Sequence, residues 1–203
     1  MSGKSAKTEK MKQIKEEIVA LTSLPLYEYR TVHNYFPVIG EGSHSAKVMF
    51  IGEAPGKNEA ETGRPFCGAA GRVLDELLAS VGLQRKEVYI TNIVKDRPPD
   101  NRDPLPDELA VYAPFLDRQI AIIQPMIIAT LGRFSMEYLL RRYNAPEAGK
   151  SISALHGTVI DVKDDDFGSL RLIPLFHPAV ALYKASEKQV LFEDFKKLMA
   201  AIS

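Results

Sequence analysis

Three stretches of the chain gather side chains that could share one piece of chemistry. The first is Gly52-Glu53-Ala54-Pro55-Gly56-Lys57-Asn58-Glu59, followed by Gly63-Arg64-Pro65-Phe66-Cys67-Gly68. The second is Thr91-Asn92, with Lys95, Asp96, Arg97, Pro98, Pro99, Asn101 and Arg102 close behind, and the third is His177-Pro178. Together they offer a carboxylate, a carboxamide, an imidazole, an aromatic ring and several cations. A phosphate-cradling loop is one chemistry to weigh, and it fails. Gly52 and Gly56 stand one residue too close for G-x-x-x-x-G-K-[ST], and Asn58 replaces the hydroxyl that would hold magnesium. Pro55 also removes an N–H that such a loop would use. A metal-dependent phosphohydrolase fares little better. Glu53, Glu59, Glu61, Asp96, Asp100 and Asp103 are interleaved with Lys57, Arg97 and Arg102, which would compete with a hard cation for the same oxygens. No metal site is expected.

The mixture as it stands fits a different chemistry. Asn92 offers one carbonyl and one NH2, the complement of a base edge with adjacent N–H and C=O groups, as in uracil. Phe66 could stack on that base, and His177 could donate to an oxygen on which negative charge develops. Glu53 could hold an attacking water, while the cations after Asn92, with Lys184 beyond His177, could hold phosphates. These are the parts needed to hydrolyse a base–sugar bond.

Such residues must be brought together by the elements that end beside them. Lys47–Ile51, Val88–Val94, Met126–Leu131, Thr158–Val162 and Leu170–Phe176 read as strands. Gly71–Val81, Pro106–Ile123 (with a kink expected at Pro114), Arg133–Arg142 and Glu187–Ala200 read as helices, and Met11–Leu21 as a shorter one. Strands alternating with helices imply a mainly parallel sheet covered on both faces, a three-layer α/β/α domain, whose ligands bind beyond the carboxyl ends of the strands. Every stretch singled out above falls at such an end. Residues 1–12 read as a flexible lysine-rich tail, 13–203 as a single domain, and 22–46 as loop-rich. With 26 basic and 26 acidic residues, any polyanion site must be a local patch. One cysteine, Cys67, excludes an intrachain disulfide or a multi-cysteine metal site. No signal peptide or membrane-length apolar run is evident, so a cytoplasmic, prokaryotic-type monomer is expected.

At the level of motifs the chain resembles the family-4 (thermophile-type) uracil-DNA glycosylases over roughly residues 21–198. Gly52-Glu53-Ala54-Pro55-Gly56, Thr62-Gly63-Arg64-Pro65-Phe66 and Gly68-Ala69-Ala70-Gly71 match their first motif. Thr91-Asn92-Ile93-Val94-Lys95, leading to Arg97-Pro98-Pro99 and Asn101-Arg102, is similar to their second block, and Leu131-Gly132 and His177-Pro178-Ala179 follow in the same order. The resemblance implies that Glu53 positions water, Asn92 reads uracil, Phe66 stacks on the flipped base and His177 stabilises uracil O2. It puts Gly52 and Ala54 against the substrate and Glu59 at the C5 side of the pocket. It implies DNA contacts from Lys95, Arg97, Arg102 and Lys184; His156 stands open between a surface turn and a phosphate contact.

The family also carries an iron–sulfur cluster on four cysteines, and here those positions are Leu21, Leu24, Asp96 and Tyr112. A cluster-free member with no cofactor is therefore expected, with Leu21 and Leu24, joined by Tyr112, forming an apolar replacement. The implied function is a monofunctional DNA-repair glycosylase that leaves an abasic site. A glycosylase for hypoxanthine or xanthine, and a non-catalytic damaged-DNA binder, are the alternatives.

Overall fold

The computed structural model describes residues 3–202. In chain order the elements are α1 (Gly3–Ala20), α2 (Tyr27–Val32), β1 (Glu41–Gly42), β2 (Val48–Gly52), α3 (Lys57–Thr62), α4 (Ala69–Ser80) and β3 (Tyr89–Asn92). They continue through α5 (Pro106–Ile123), β4 (Ile127–Leu131), α6 (Arg133–Arg142), α7 (Ile152–Leu155), β5 (Ile160–Asp164), β6 (Gly168–Leu175) and α8 (Ala185–Ile202). The strands form one sheet in the order β1-β3-β2-β4-β6-β5. β3, β2, β4 and β6 run parallel, while β1 and β5 close the two edges antiparallel.

The apolar runs read from the sequence become parallel strands because both of their faces are covered. Along β2, Met49 and Ile51 pack into one core with Ile14, Ile18, Leu116, Ile120 and Leu139 from α1, α5 and α6. Val48 and Phe50 point the other way, into a core with Leu74, Leu77, Leu191 and Phe195 from α4 and α8, where the Phe50 and Phe195 rings stack with centroids 5.6 Å apart. Side chains alternate at period two along the strand, so one strand serves both layers. The three-layer α/β/α arrangement follows. Pro114 lies inside α5, whose residues 106–123 form one helix.

Two expectations are corrected at the N-terminal end. α1 starts at Gly3, so residues 3–12 are not a flexible tail, whereas Met1 and Ser2 lie outside the described residues. Met11, Ile14 and Ile18 form a buried stripe that docks the helix, and Lys7 Nζ donates to Ile123 O at 2.9 Å at the end of α5. Lys10, Lys12 and Lys15 lie on its exposed side. The 22–46 stretch is also less irregular than expected, for it contains α2 and β1.

The positions expected to form an apolar plug form something else. Leu24 is buried, but Leu21 is 39% exposed. What occupies the interior is polar: the Arg30 guanidinium reaches Asp96 at 3.0 and 3.1 Å, and Tyr112 Oη donates to the same carboxylate at 2.5 Å. Arg30 also donates to Ile18 O and Val19 O at the end of α1. A buried carboxylate needs partners on its lone pairs, and these partners come from α2 and α5. The triad therefore ties α1, α2, the segment after β3, and α5 together.

Candidate active site

The parallel strands deliver their carboxyl ends to one rim. β2 and β3 are in register to the last residue, pairing Gly52 with Asn92. β4 and β6 likewise end together at Leu131 and Leu175, which brings the backbone of Gly132 beside His177. A pocket of about 520 Å3 opens there, and Glu53, Glu59, Phe66, Asn92 and His177 all line it, along with Ala54. The four side chains on which the sequence reading depends most are thus neighbours in space, although 124 positions separate Glu53 from His177 in the chain.

Gly52 lies against Asn92 and Phe66 without lining the pocket itself. A Cβ there would sit 2.3 Å from Asn92 Oδ1 and 2.7 Å from Phe66 Cζ, so any other residue would push these two lining side chains out of place. Phe66 adopts a left-handed backbone, φ 48°, uncommon for a bulky residue. That conformation is fastened from both sides. Arg85 donates to Pro65 O at 2.7 Å and to Phe66 O at 3.3 Å, and Glu59 Oε1 accepts from the N–H groups of Cys67 and Gly68, both at 2.9 Å. Gly71 lets α4 start against this turn, since a Cβ there would lie 1.8 Å from Phe66 O. Glu59 lines the pocket, but one of its oxygens is committed to shaping the turn that presents Phe66.

Asn92 is 2% exposed, and its Oδ1 is buried without a hydrogen-bond partner. Leaving a buried acceptor unmet costs roughly 1–3 kcal/mol, so the site is built to receive an N–H from something that enters it. His177 is also well prepared. Ala179 N–H donates to its Nδ1 at 3.2 Å, which leaves the ring proton of the neutral imidazole on Nε2. Burial brings its pKa down to about 4, against the opposing pull of Glu59, so the ring is neutral at physiological pH. The Phe66 and His177 rings lie 5.6 Å apart, tilted by 31°. Glu53 is shifted the other way, its pKa pushed up to about 7 chiefly by burial; the Asp103 carboxylate adds to the rise and the Arg133 guanidinium opposes it.

The cations do not follow the expectation so closely. Lys95 is completely buried beneath the rim and makes three internal hydrogen bonds, so it cannot reach a phosphate. Arg102 is locked in a two-pronged ion pair with Glu108, at 2.6 and 2.8 Å, which also caps the start of α5 through Leu105 N. Arg97 stands at the rim, bridging Tyr35 Oη and Asn101 Oδ1, each at 2.8 Å. His156 is paired with the buried Asp194 at 2.7 Å and lies against Phe176, with ring centroids 4.6 Å apart and planes tilted by 32°, so it braces the residue preceding His177. Lys184 is exposed, next to the rim residue Tyr183.

Five lining residues escaped the sequence reading as site residues: Gly56, Ala70 and Ala179, which are small, and Asn101 and Tyr183. Asn101 follows Asp100, both with left-handed backbones, φ 53° and 54°, in a single 3-10 turn. Asn and Asp are the side-chain-bearing residues that tolerate this conformation best, and that was the available signal. Tyr183 lies 85% exposed at the mouth, and after the apolar run Ala179-Val180-Ala181-Leu182 nothing in the sequence marks it. Among the described residues no group of three His, Cys, Asp or Glu side chains converges to hold a metal, and no helix is long and apolar enough to cross a membrane.

Comparison with known proteins identifies the family. A model of the uracil DNA glycosylase superfamily matches residues 39–200. A type-4 uracil-DNA glycosylase of Sulfurisphaera tokodaii is 44% identical over 193 residues, covering 94% of this chain and 84% of that protein. The type-4 enzyme of Archaeoglobus fulgidus is 39% identical over 191 residues, 94% of this chain and 92% of its own. That of Thermotoga maritima is 38% identical over 196 residues, 96% and 95%.

Proposed function

The chain belongs to the uracil-DNA glycosylase superfamily, and on that footing we propose that it hydrolyses the N-glycosidic bond of uracil in DNA, leaving an abasic site. The observation that carries the reading is the unmet Asn92 Oδ1, buried in a pocket whose other polar wall is a neutral imidazole. Uracil N3–H is the donor that Oδ1 lacks, and the Asn92 NH2 faces uracil O4. Cytosine has no N–H at that position, so the same carboxamide rejects it.

The pocket lies below the surface, so the base has to leave the stack to enter it, at a cost of a few kcal/mol that is smallest for mismatched or unpaired uracil. Phe66 then offers a ring to stack on. As the C1′–N1 bond breaks, negative charge collects on the uracil oxygens, and His177 Nε2–H donates to O2. A neutral imidazole holds its Nε2 proton too tightly to pass it on, so it stabilises the base by a hydrogen bond and the base leaves as an anion, which is why the lowered pKa matters. The Glu53 carboxylate serves the sugar rather than the base. It holds a water and faces the positive charge growing on the ring; as the C1′–N1 bond breaks and uracil leaves with the electron pair, the water oxygen bonds to C1′ and its released proton passes to the Glu53 carboxylate. Arg97 and Lys184 remain the candidates for phosphate contacts among the residues named at the outset.

The reading also excludes an iron–sulfur cluster by donor chemistry. Such clusters are held by cysteine thiolates, whereas the positions in question hold Leu21, Leu24, Asp96 and Tyr112, and the sole cysteine, Cys67, lies in the Phe66 turn. The Arg30–Asp96–Tyr112 triad fastens that region instead. Protein purified without air is expected to be colourless and iron-free, and a brown preparation would contradict this.

The deciding experiment is excision from uracil-containing single- and double-stranded oligonucleotides, with hypoxanthine and xanthine substrates alongside. Uracil is expected to be released with wild-type protein acting as a monomer. Single-turnover excision by His177→Ala is expected to fall about 100–1,000-fold, the usual worth of one such donor, with DNA binding retained. Binding without release by the wild type would leave a damage-binding module instead.

A further inference from the structure

Lys95 has no part in the chemistry above, yet it lies directly behind the residue that reads the base. The chain turns after β3 so that Lys95 Nζ lies 2.6 Å from Asn92 O, 2.8 Å from Thr91 Oγ1 and 2.7 Å from Gln119 Oε1. All three partners are neutral oxygens, and the adjacent carboxylate, Asp96, is turned to Arg30 and Tyr112.

The protonation state follows from counting donors. Asn92 O only accepts. The Gln119 carboxamide is oriented by its Nε2, which faces Ile39 O at 2.9 Å, so its Oε1 must face the lysine and accept. Thr91 Oγ1 donates its single proton to Ile39 O at 2.7 Å. Three acceptors therefore converge on Nζ. An ammonium has three N–H groups to meet them, and a neutral amine has two. An amine could complete the set only by accepting from Thr91, which would leave Thr91 Oγ1 and Ile39 O 2.7 Å apart with no proton between them. Burial by itself pulls the lysine's pKa down. Against it stand three bonds of the length found for charged donors.

We infer that Lys95 is a buried ammonium that serves the reaction as a positioning residue. It sets a positive potential behind the edge of the departing base, from beneath Asn92, whose backbone carbonyl it holds at 2.6 Å. This rests on the proposed uracil excision, in which the leaving group is an anion. A unit charge about 6–12 Å from that anion, in surroundings with an effective dielectric constant of about 20, changes the rate about 10–100-fold.

Two measurements test it. In wild-type protein carrying 13C- and 15N-labelled lysine, the Lys95 Cε and Nζ shifts at pH 7 are expected to be those of an ammonium; amine shifts would overturn the inference without any variant being made. Lys95→Met keeps the bulk and removes the charge. Its single-turnover excision is expected to fall about 10–100-fold, with affinity for uracil-containing DNA within about twofold of wild type. Free uracil, used as an inhibitor, should lose affinity mainly in its anionic form at alkaline pH. A folded variant that excises at the wild-type rate, or that loses the neutral and anionic forms of uracil equally, would overturn the role. If wild-type protein released no uracil at all, the proposed function would fail, while the lysine shifts would still decide the charge.

Discussion

The shift on Glu53 makes the pH dependence of excision calculable. Its carboxyl is pushed up to about 7, while His177, brought down to about 4, is already neutral throughout the range of interest. Only the ionised carboxylate can orient the water and face the positive sugar, so kcat/KM, which reports the free enzyme, should rise with pH along a single limb. A group with a pKa of about 7 is ionised in about a tenth of molecules at pH 6 and about nine-tenths at pH 8, which predicts roughly a tenfold increase between them. The neighbours give the direction of two further shifts. Asp103 raises the Glu53 pKa and Arg133 lowers it, so Asp103→Asn should slide the limb to lower pH and Arg133→Gln to higher pH. The assay is excision from a uracil oligonucleotide at limiting substrate between pH 5.5 and 8.5, at constant ionic strength. Glu53→Gln should leave a small residual rate with no limb. A flat wild-type profile, or a limb that persists in Glu53→Gln, would refute the assignment.

Asn92→Asp should lower uracil excision at least tenfold, because a carboxylate repels O4 and accepts instead from cytosine N4; parental activity on uracil in an oligonucleotide panel would remove Asn92 as the reader. Gly52→Ala should nearly abolish excision and cost about 1–3 kcal/mol of stability, since its methyl would overlap Asn92 Oδ1 and the Phe66 ring and displace both; normal turnover would mean that the base sits elsewhere. Arg30→Met should cost about 3–5 kcal/mol in urea unfolding by leaving the Asp96 carboxylate buried beside a single partner. Tyr112→Phe, which removes one hydrogen bond to that carboxylate and leaves the ion pair, should cost about 1.5–3 kcal/mol, and equal effects would show that the triad is not built around the ion pair.

Local patterns in the sequence account for much of the architecture. A short unbroken apolar run marks a strand buried between helix layers, and a 3.6-residue period marks the helices that cover it. Because parallel strands must end on the same side, the motifs at 52–59, 91–92 and 177 had to meet. α2, α3 and α7, with six, six and four residues, are too short for such a period to emerge. The start of α1 is illegible for another reason. Its first two turns are polar, and the docking stripe of Met11, Ile14 and Ile18 extends order back to Gly3.

Residue types and their order are enough to name the inventory of the site: which carboxylate, carboxamide, imidazole and ring stand at strand ends, and that the thiolates for a cluster are missing. The state of each group is a property of the folded molecule alone. Lys95 turns inward to Gln119, 24 positions away, Arg30 turns to Asp96, 66 positions away, and His156 turns to Asp194, 38 positions away. Residue type and spacing are local quantities. Burial and partnership, which set charge, tautomer and pKa, depend on side chains that only folding brings within reach.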